Sequence, residues 1–112
     1  MQRSRNARDK KKLENPAIRR QLELMGRSIQ IARKTRNFTQ EELAAAMLHK
    51  GYGIHQSNIS RFEKGREDPC YTTLVGLAEV LDIPIGKLVE YGEYITKLGR
   101  EYRKGKIEKH AA

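Results

Sequence analysis

Residues 54–65 read Ile-His-Gln-Ser-Asn-Ile-Ser-Arg-Phe-Glu-Lys-Gly, and this stretch decides how the rest of the chain is organised. At the helical advance of about 100° per residue it separates into two faces. The buried face would hold Ile59, Phe62 and Glu63, and Gly65 supplies the stop that ends a helix. The opposite face is polar throughout and consists of Gln56, Ser57, Ser60, Arg61 and Lys64.

The polar face has a chemistry that suits the major groove of DNA. Glutamine and arginine are the side chains that make paired hydrogen bonds to adenine and guanine edges, and small serines between them let a helix sit deep in a groove. Most polar helix faces only meet water, which is the alternative for this one. We interpret the stretch as a DNA-recognition helix.

The composition favours a polyanionic partner. The chain has 112 residues, enough for one domain with tails, and 23 Lys and Arg against 14 Asp and Glu give a formal net charge of +9. Such an excess suits nucleic acid or an anionic membrane. A mean hydropathy of −0.78, with no long apolar run, predicts a soluble protein without a membrane segment. No secretory signal is evident, so we expect a cytoplasmic location.

The lone cysteine, Cys70, excludes an internal disulfide, and the three histidines share no ligand spacing with it. We therefore expect no metal site and no cofactor. No carboxylate–His–Ser set and no phosphate-binding glycine loop can be named either, so we expect no enzyme activity.

Three segments can be delimited. Residues 1–14 are predicted to be a basic disordered arm, which either remains a solvated tail or follows phosphates or enters a minor groove near the main site. Residues 15–92 are predicted to form the domain. Residues 93–112 form a basic tail whose apolar spacing allows a helix; this stripe either contacts a second copy of the chain or binds nothing. Its members are Tyr94, Ile95, Leu98 and Tyr102.

Helix signals punctuate the domain. Asn15-Pro16 is a helix start, and a stripe at helical spacing then runs to about Arg36, as one helix or as two pieces bent near Leu22. Thr39 and Glu42 form a capping box that opens the next helix. After the central stretch, Pro69 interrupts the chain before two further helical patterns. The first stripe comprises Ile18, Leu22, Met25, Ile29 and Ala32, and the later patterns include Leu74, Leu77, Ala78, Leu81, Ile85 and Leu88.

Four separated motifs, in order, resemble the lambda-repressor/Cro-like helix-turn-helix family, also called the XRE family. They are residues 26–33 (Gly-Arg-Ser-Ile-Gln-Ile-Ala-Arg), residues 39–44 (Thr-Gln-Glu-Glu-Leu-Ala), residues 56–65, and Pro69 with Thr73-Leu74, Leu77-Ala78 and Leu81. The resemblance covers about residues 22–91. It implies an all-α bundle of five helices in which the third enters the major groove.

The resemblance also implies roles for individual residues. Gln40 takes the place of a glutamine that contacts phosphate, and its position at a helix N-terminus suits an anion in any case. Base reading falls to Gln56, Ser57, Ser60 and Arg61. Arg33 and Glu63 occupy the places of a structural ion pair, and a buried carboxylate needs such a partner. Further phosphate candidates, for each of which a solvated charge is the alternative, are Lys64, Arg66, Lys50 and Arg36.

One departure from the family pattern concerns the link between the second and third helices. About five extra residues around 50–52 lengthen it, which is similar to the POU-specific domain, a relative of the same fold.

Three functions remain open. The first is a sequence-specific regulator of transcription, expected to be a repressor and a homodimer on double-stranded DNA. The second is an antitoxin-like or bridging protein whose tails bind a protein partner. The third is binding of nucleic acid through charge alone, without regard to sequence.

Overall fold

The longest helix, α1 (Pro16–Thr35), starts where the sequence places a helix signal. The side chain of Asn15 accepts hydrogen bonds from the amides of Ala17 at 3.0 Å and Ile18 at 3.2 Å, and proline occupies the first helical position. These contacts satisfy amides that an isolated helix leaves without partners. The helix is continuous, so the one-helix alternative holds and there is no division near Leu22.

The computed structural model describes residues 10–89. Within that range the chain is helical and has no strand, and the predicted all-α helix-turn-helix class is confirmed. The helices after α1 are α2 (Gln40–His49), α3 (Gln56–Glu63), α4 (Tyr71–Leu81) and α5 (Ile85–Leu88). The predicted capping box opens α2: Thr39 accepts from the Glu42 amide at 3.0 Å, and the Glu42 carboxylate accepts from the Thr39 amide at 2.9 Å.

Helices α1, α2 and α3 end in the same way. After α3 the amide of Gly65 donates to the Phe62 carbonyl at 3.0 Å, and the amide of Arg66 donates to the Arg61 carbonyl at 2.9 Å. This is a Schellman motif, which needs a left-handed residue just after the helix. Gly65 has φ of +70°, and the corresponding residues after α1 and α2 are Asn37 and Gly51, with φ of +60° and +97°. The sharp turns fold each following segment back onto the bundle.

One apolar core joins the five helices. Its fully buried members come from all of them: Ile29, Leu43, Met47, Ile59, Leu77, Leu81 and Leu88. Helix α1 crosses α3 very closely at Gly26, where an added Cβ would lie 2.3 Å from the Phe62 carbonyl oxygen. The absence of a side chain at this position therefore sets how near α3 lies to α1.

Residues 10–14 correct one expectation. They were predicted to belong to a disordered arm, but they are helical. Leu13 packs against the core, and the Lys12 ammonium lies 2.9 Å from the Asp68 carboxylate in the loop after α3. The arm prediction missed both contacts, because it treated this segment as having almost nothing to bury. The remaining arm residues 1–9 and the predicted tail 93–112 lie outside the described residues.

No helix within residues 10–89 combines the length and the apolar character that a membrane span requires.

Candidate nucleic-acid interface

Helix α3 divides into a buried and an exposed face along the predicted line. Ile59, Phe62 and Glu63 are buried. The polar face is exposed at four of its five positions, namely Gln56, Ser57, Arg61 and Lys64, while Ser60 is half-buried. The helix begins with the His55 amide donating to the Asn58 side-chain oxygen at 3.0 Å. The side chains suited to base reading therefore point away from the core.

A buried ion pair holds α3 against α1. Arg33 donates from Nε to Glu63 Oε2 at 2.6 Å and from Nη2 to Glu63 Oε1 at 3.0 Å, and its Nη1 donates to the Phe38 carbonyl at 2.8 Å. Their side chains are only 9% and 2% exposed, so the charges depend on each other. The hydrogen bond to Glu63 raises the pKa of Arg33, against the opposing effect of burial. The pairing is the one that their positions predict.

The same carboxylate orients two glutamines at the helix N-termini. Gln40 Nε2 donates to Glu63 Oε1 at 3.0 Å, and Gln56 Nε2 donates to Gln40 Oε1 at 2.7 Å. A charged carboxylate only accepts, so Gln40 must turn its NH₂ inward and its oxygen toward Gln56. Gln56 must then use one N–H on Gln40. It retains its side-chain oxygen and a second N–H for a ligand.

Arg61 is also held by a carboxylate. Its Nε donates to Glu67 Oε1 at 2.7 Å, and Asn58 Nδ2 donates to Glu67 Oε2 at 3.2 Å. Glu67 is buried, with a side-chain exposure of 6%, whereas the Arg61 side chain is 47% exposed. The guanidinium is therefore anchored at one edge and accessible elsewhere.

The expected phosphate ligands separate into two groups. Lys64 and Arg66 are exposed at the C-terminal end of α3. Lys50 instead lies 3.2 Å from Glu79 on α4, in an exposed pair. The prediction that Arg36 binds phosphate is corrected. Arg36 donates from Nε to the Leu81 carbonyl and from Nη2 to the Asp82 carbonyl, each at 2.8 Å. Those carbonyls lie at the C-terminus of α4 and lack helical partners, so Arg36 caps that helix.

An open groove lies beside the two glutamines. It is formed by the end of α1 and the starts of α2 and α3, and its walls include Lys34, Asn37, Thr39, Gln40 and Gln56. The helix dipole and the first amides of α2 favour an anion here. The groove thus combines a helix N-terminus, a lysine and three amide side chains, and the Glu41 carboxylate also lies on its wall.

A scan against protein-family models matches residues 29–88, more than half of the 112-residue chain, to the family described as Helix-turn-helix. The chain belongs to this family. The resemblance to lambda-repressor/Cro-like domains is thereby confirmed, and the protein is a DNA-binding regulator of the XRE type. A search of the curated proteins found no match, and a search of the solved structures found none either.

In this helix-turn-helix protein, α2 and α3 are the two helices of the motif, and residues 50–55 join them. The link is ordered by its own contacts: the Tyr52 amide donates to the Met47 carbonyl at 2.9 Å, and Tyr52 packs against Gly76 on α4. A glycine at position 76 leaves room for that ring, since a Cβ there would lie 2.8 Å from Tyr52 Cζ. The longer link is therefore part of the bundle.

Sequence reasoning missed Glu67, Lys34 and Asn37. Glu67 stands among charged residues in a loop, which ordinarily indicates solvent, and only the turn at Gly65 brings it back under α3. Lys34 and Asn37 reach the groove because α1 ends there with a left-handed residue. An asparagine after a basic last turn was the one available signal for that ending.

Proposed function

We propose that the protein is a sequence-specific regulator that inserts α3 into the major groove of double-stranded DNA. Gln56 and Arg61 read base edges, with Ser57 and Ser60 close to the groove floor. The two readers are five positions apart in α3, a rise of about 7.5 Å along its axis, which exceeds one base-pair step of about 3.4 Å. They would therefore contact different base pairs.

The hydrogen-bonded chain from Arg33 through Glu63 and Gln40 to Gln56 is the observation that carries this proposal. Adenine in the major groove offers an N7 acceptor and an N6 donor, which require one donor and one acceptor in return. Gln56 retains that combination after its bond to Gln40. A solvated surface glutamine has no need of a buried ion pair behind it.

Phosphate contacts would fix the position of the domain on the duplex. We assign them to Lys34 and the remaining side-chain N–H of Gln40 in the groove at the start of α2, and to Lys64 and Arg66 at the end of α3. The two sets flank the base-reading residues. Such contacts position a protein without specifying sequence. Lys50 and Arg36 have other partners and are left out of the assignment.

We further infer that the regulator acts as a homodimer and as a repressor. An eight-residue helix spans only about 12 Å and can read only a few base pairs. Two copies on half-sites about 34 Å apart would give a longer and more selective site. Repression needs only occupancy of the duplex, whereas activation needs a further surface that engages the transcription machinery.

Selection of bound duplexes from a random pool tests the proposal. The full-length wild type should recover a consensus with two related halves, and Gln56→Ala and Arg61→Ala should each lose preference at their own positions. Retention of every duplex to the same extent would show binding by charge alone. A single unrepeated half-site would contradict the dimer while leaving base reading intact.

A further inference from the structure

Glu67 is a buried carboxylate in a loop that the proposed function does not use. It stands two residues after the left-handed Gly65, in the segment between α3 and α4, and only 5% of its surface is exposed. Burial of a carboxylate is costly unless charged or hydrogen-bonding partners compensate. The hydrogen-bond partners of Glu67 show which helix this loop holds in place.

Two donors that contact Glu67 come from α3. Arg61 Nε binds Oε1 at 2.7 Å, while Asn58 Nδ2 lies 3.2 Å from Oε2 and 3.5 Å from Oε1. Asn58 in turn accepts from the His55 amide at the start of the helix. The Glu67 carboxylate thus contacts α3 at two points, Asn58 in its first turn and Arg61 in its second.

We propose that Glu67 is a positioning residue that determines the base specificity of Arg61. This inference rests on the proposed function, because it concerns how one of the base-reading side chains is presented. With Nε occupied, the guanidinium offers its two terminal nitrogens to the duplex. That pair of donors matches guanine O6 and N7.

Anchoring also limits what else Arg61 can contact. A free arginine on an exposed helix face samples many rotamers and can reach phosphates on either side of the groove. Arg61 held at one edge by a buried group keeps its terminal nitrogens at a fixed height above α3. The contact to Glu67 therefore favours base reading over phosphate binding.

Glu67 and Glu63 have parallel roles in this arrangement. Glu63 orients Gln56 through Gln40, and Glu67 orients Arg61 directly. Each of the two long base-reading side chains, Gln56 and Arg61, is thus oriented by a buried carboxylate. The two carboxylates belong to different segments, so each can be altered separately.

Glu67→Gln tests the inference with almost no change of volume. The amide has one acceptor oxygen where the carboxylate has two, and its NH₂ group must face either Arg61 Nε or Asn58 Nδ2, both donors. The matched control is Asp68→Asn, which removes the same charge from the next residue. Asp68 pairs with Lys12 at 2.9 Å, and its side chain is 35% exposed.

The measurement is equilibrium binding of full-length protein to the selected site and to each single-base-pair variant of it, alongside Arg61→Ala. Arg61→Ala identifies the base pair that Arg61 reads. We expect Glu67→Gln to reduce discrimination at that pair by about tenfold, within the range for loss of one good bidentate contact. Discrimination at the Gln56 position should remain, and Asp68→Asn should retain both.

Two results overturn the inference while the proposed function stands. One is full discrimination at the Arg61 base pair in Glu67→Gln; the other is an equal loss at every position, which a merely structural role would give. Failure of the proposed function looks different, since the wild type itself would then show no preference. Thermal melting checks each variant, and if Glu67→Gln does not fold, Glu67→Asp serves instead because it keeps the charge and withdraws the carboxylate.

Discussion

Single side chains decide the chemistry of the interface, and two buried carboxylates decide how those side chains are held. Glu63 receives three hydrogen bonds, two from Arg33 and one from Gln40. Glu67 receives hydrogen bonds from Asn58 and Arg61. Both carboxylates are buried, and their hydrogen bonds restrict the movement of the side chains on the exposed face of α3.

Glu63→Gln should be strongly destabilising. The amide would leave the buried charge of Arg33 without its counter-ion, and removal of one partner from a buried pair costs about 3–5 kcal/mol. Asp68→Asn breaks the half-buried pair with Lys12, which water still screens, and should cost about 1 kcal/mol. Urea unfolding followed by circular dichroism compares the two, and equal midpoints would contradict a structural role for the buried pair.

Cys70 should react as a thiolate near neutral pH. Hydrogen bonds from the Thr72 and Thr73 hydroxyls lower the pKa of its thiol from 9.0 to about 7. The folded protein should therefore show an alkylation rate that rises through about pH 7, while the urea-unfolded chain follows the ordinary thiol value. Since the folded pKa is the lower one, the thiolate stabilises the fold at high pH, and this contribution is lost as pH falls through 7. A native midpoint near 9 would contradict these contacts.

The residue types at the interface could be predicted from the sequence, but their partners only in part. Arg33 and Glu63 were paired correctly because the family resemblance implies an ion pair at these positions and Glu63 falls on the inward face of its helix. Glu67 was missed and Arg36 was assigned to phosphate instead of to the end of α4, because each finds its partner through a loop or a helix end. A residue with left-handed φ after a helix changes the chain direction sharply. The spacing of apolar residues within the helix does not predict where the following segment then lies.

Helix packing sets the position of α3 and of its exposed polar face. Helix α3 rests on α1 at Gly26, where the backbone carbonyls of Phe62 and Glu63 occupy the space that a side chain would need. Helix α2 also packs on α3, with its N-terminus beside that of α3. The position of α3 is therefore fixed by backbone contact as well as by the ion pair.

Gly26→Ala should lower both stability and specific DNA binding. Alanine favours a helix over glycine by about 1 kcal/mol, but its Cβ would meet backbone oxygen at 2.3 Å and force α3 away from α1. Gly86→Ala is the matched control, since a Cβ at that helical position meets nothing within 4 Å. Calorimetry should show a lower Tm for Gly26→Ala alone. An unchanged Tm for this variant would mean that the close approach is not needed.

Element bounds were largely predictable, because start and stop signals are local. Asn15-Pro16 and the Thr39–Glu42 capping box act within a few residues of themselves. The helical structure of residues 10–14 could not be predicted, because Leu13 and Lys12 make their contacts with distant parts of the bundle. A short charged segment with one leucine has no periodicity from which that packing could be inferred.

At the scale of the whole molecule, the net charge of +9 gives a field that attracts DNA before any base is read. This term depends on ionic strength, whereas the hydrogen bonds that we propose between bases and Gln56 and Arg61 would depend on the DNA sequence. Measuring affinity over a range of salt concentrations therefore separates the proposed phosphate contacts from the proposed base contacts.

Lys64→Ala should reduce affinity for all duplexes to a similar extent. Its loss removes one phosphate contact, so the log–log slope of affinity against salt should become shallower by about one, with the same consensus. Lys87→Ala is the control, because it removes the same charge outside the proposed interface. Lys87 lies on α5, which packs on α1 and α4. Fluorescence anisotropy over a salt series gives both slopes. A changed consensus for Lys64→Ala would make it a base reader instead.

Atomic substitution in the DNA tests most directly whether α3 reads the major groove. Each guanine of the selected site is replaced in turn by 7-deazaguanine, which lacks the major-groove N7, or by inosine, which lacks the minor-groove amino group. We expect 7-deazaguanine at the Arg61 base pair to weaken wild-type binding by about tenfold and to leave Arg61→Ala unaffected, with inosine tolerated. Sensitivity to inosine together with indifference to 7-deazaguanine would contradict major-groove reading by α3.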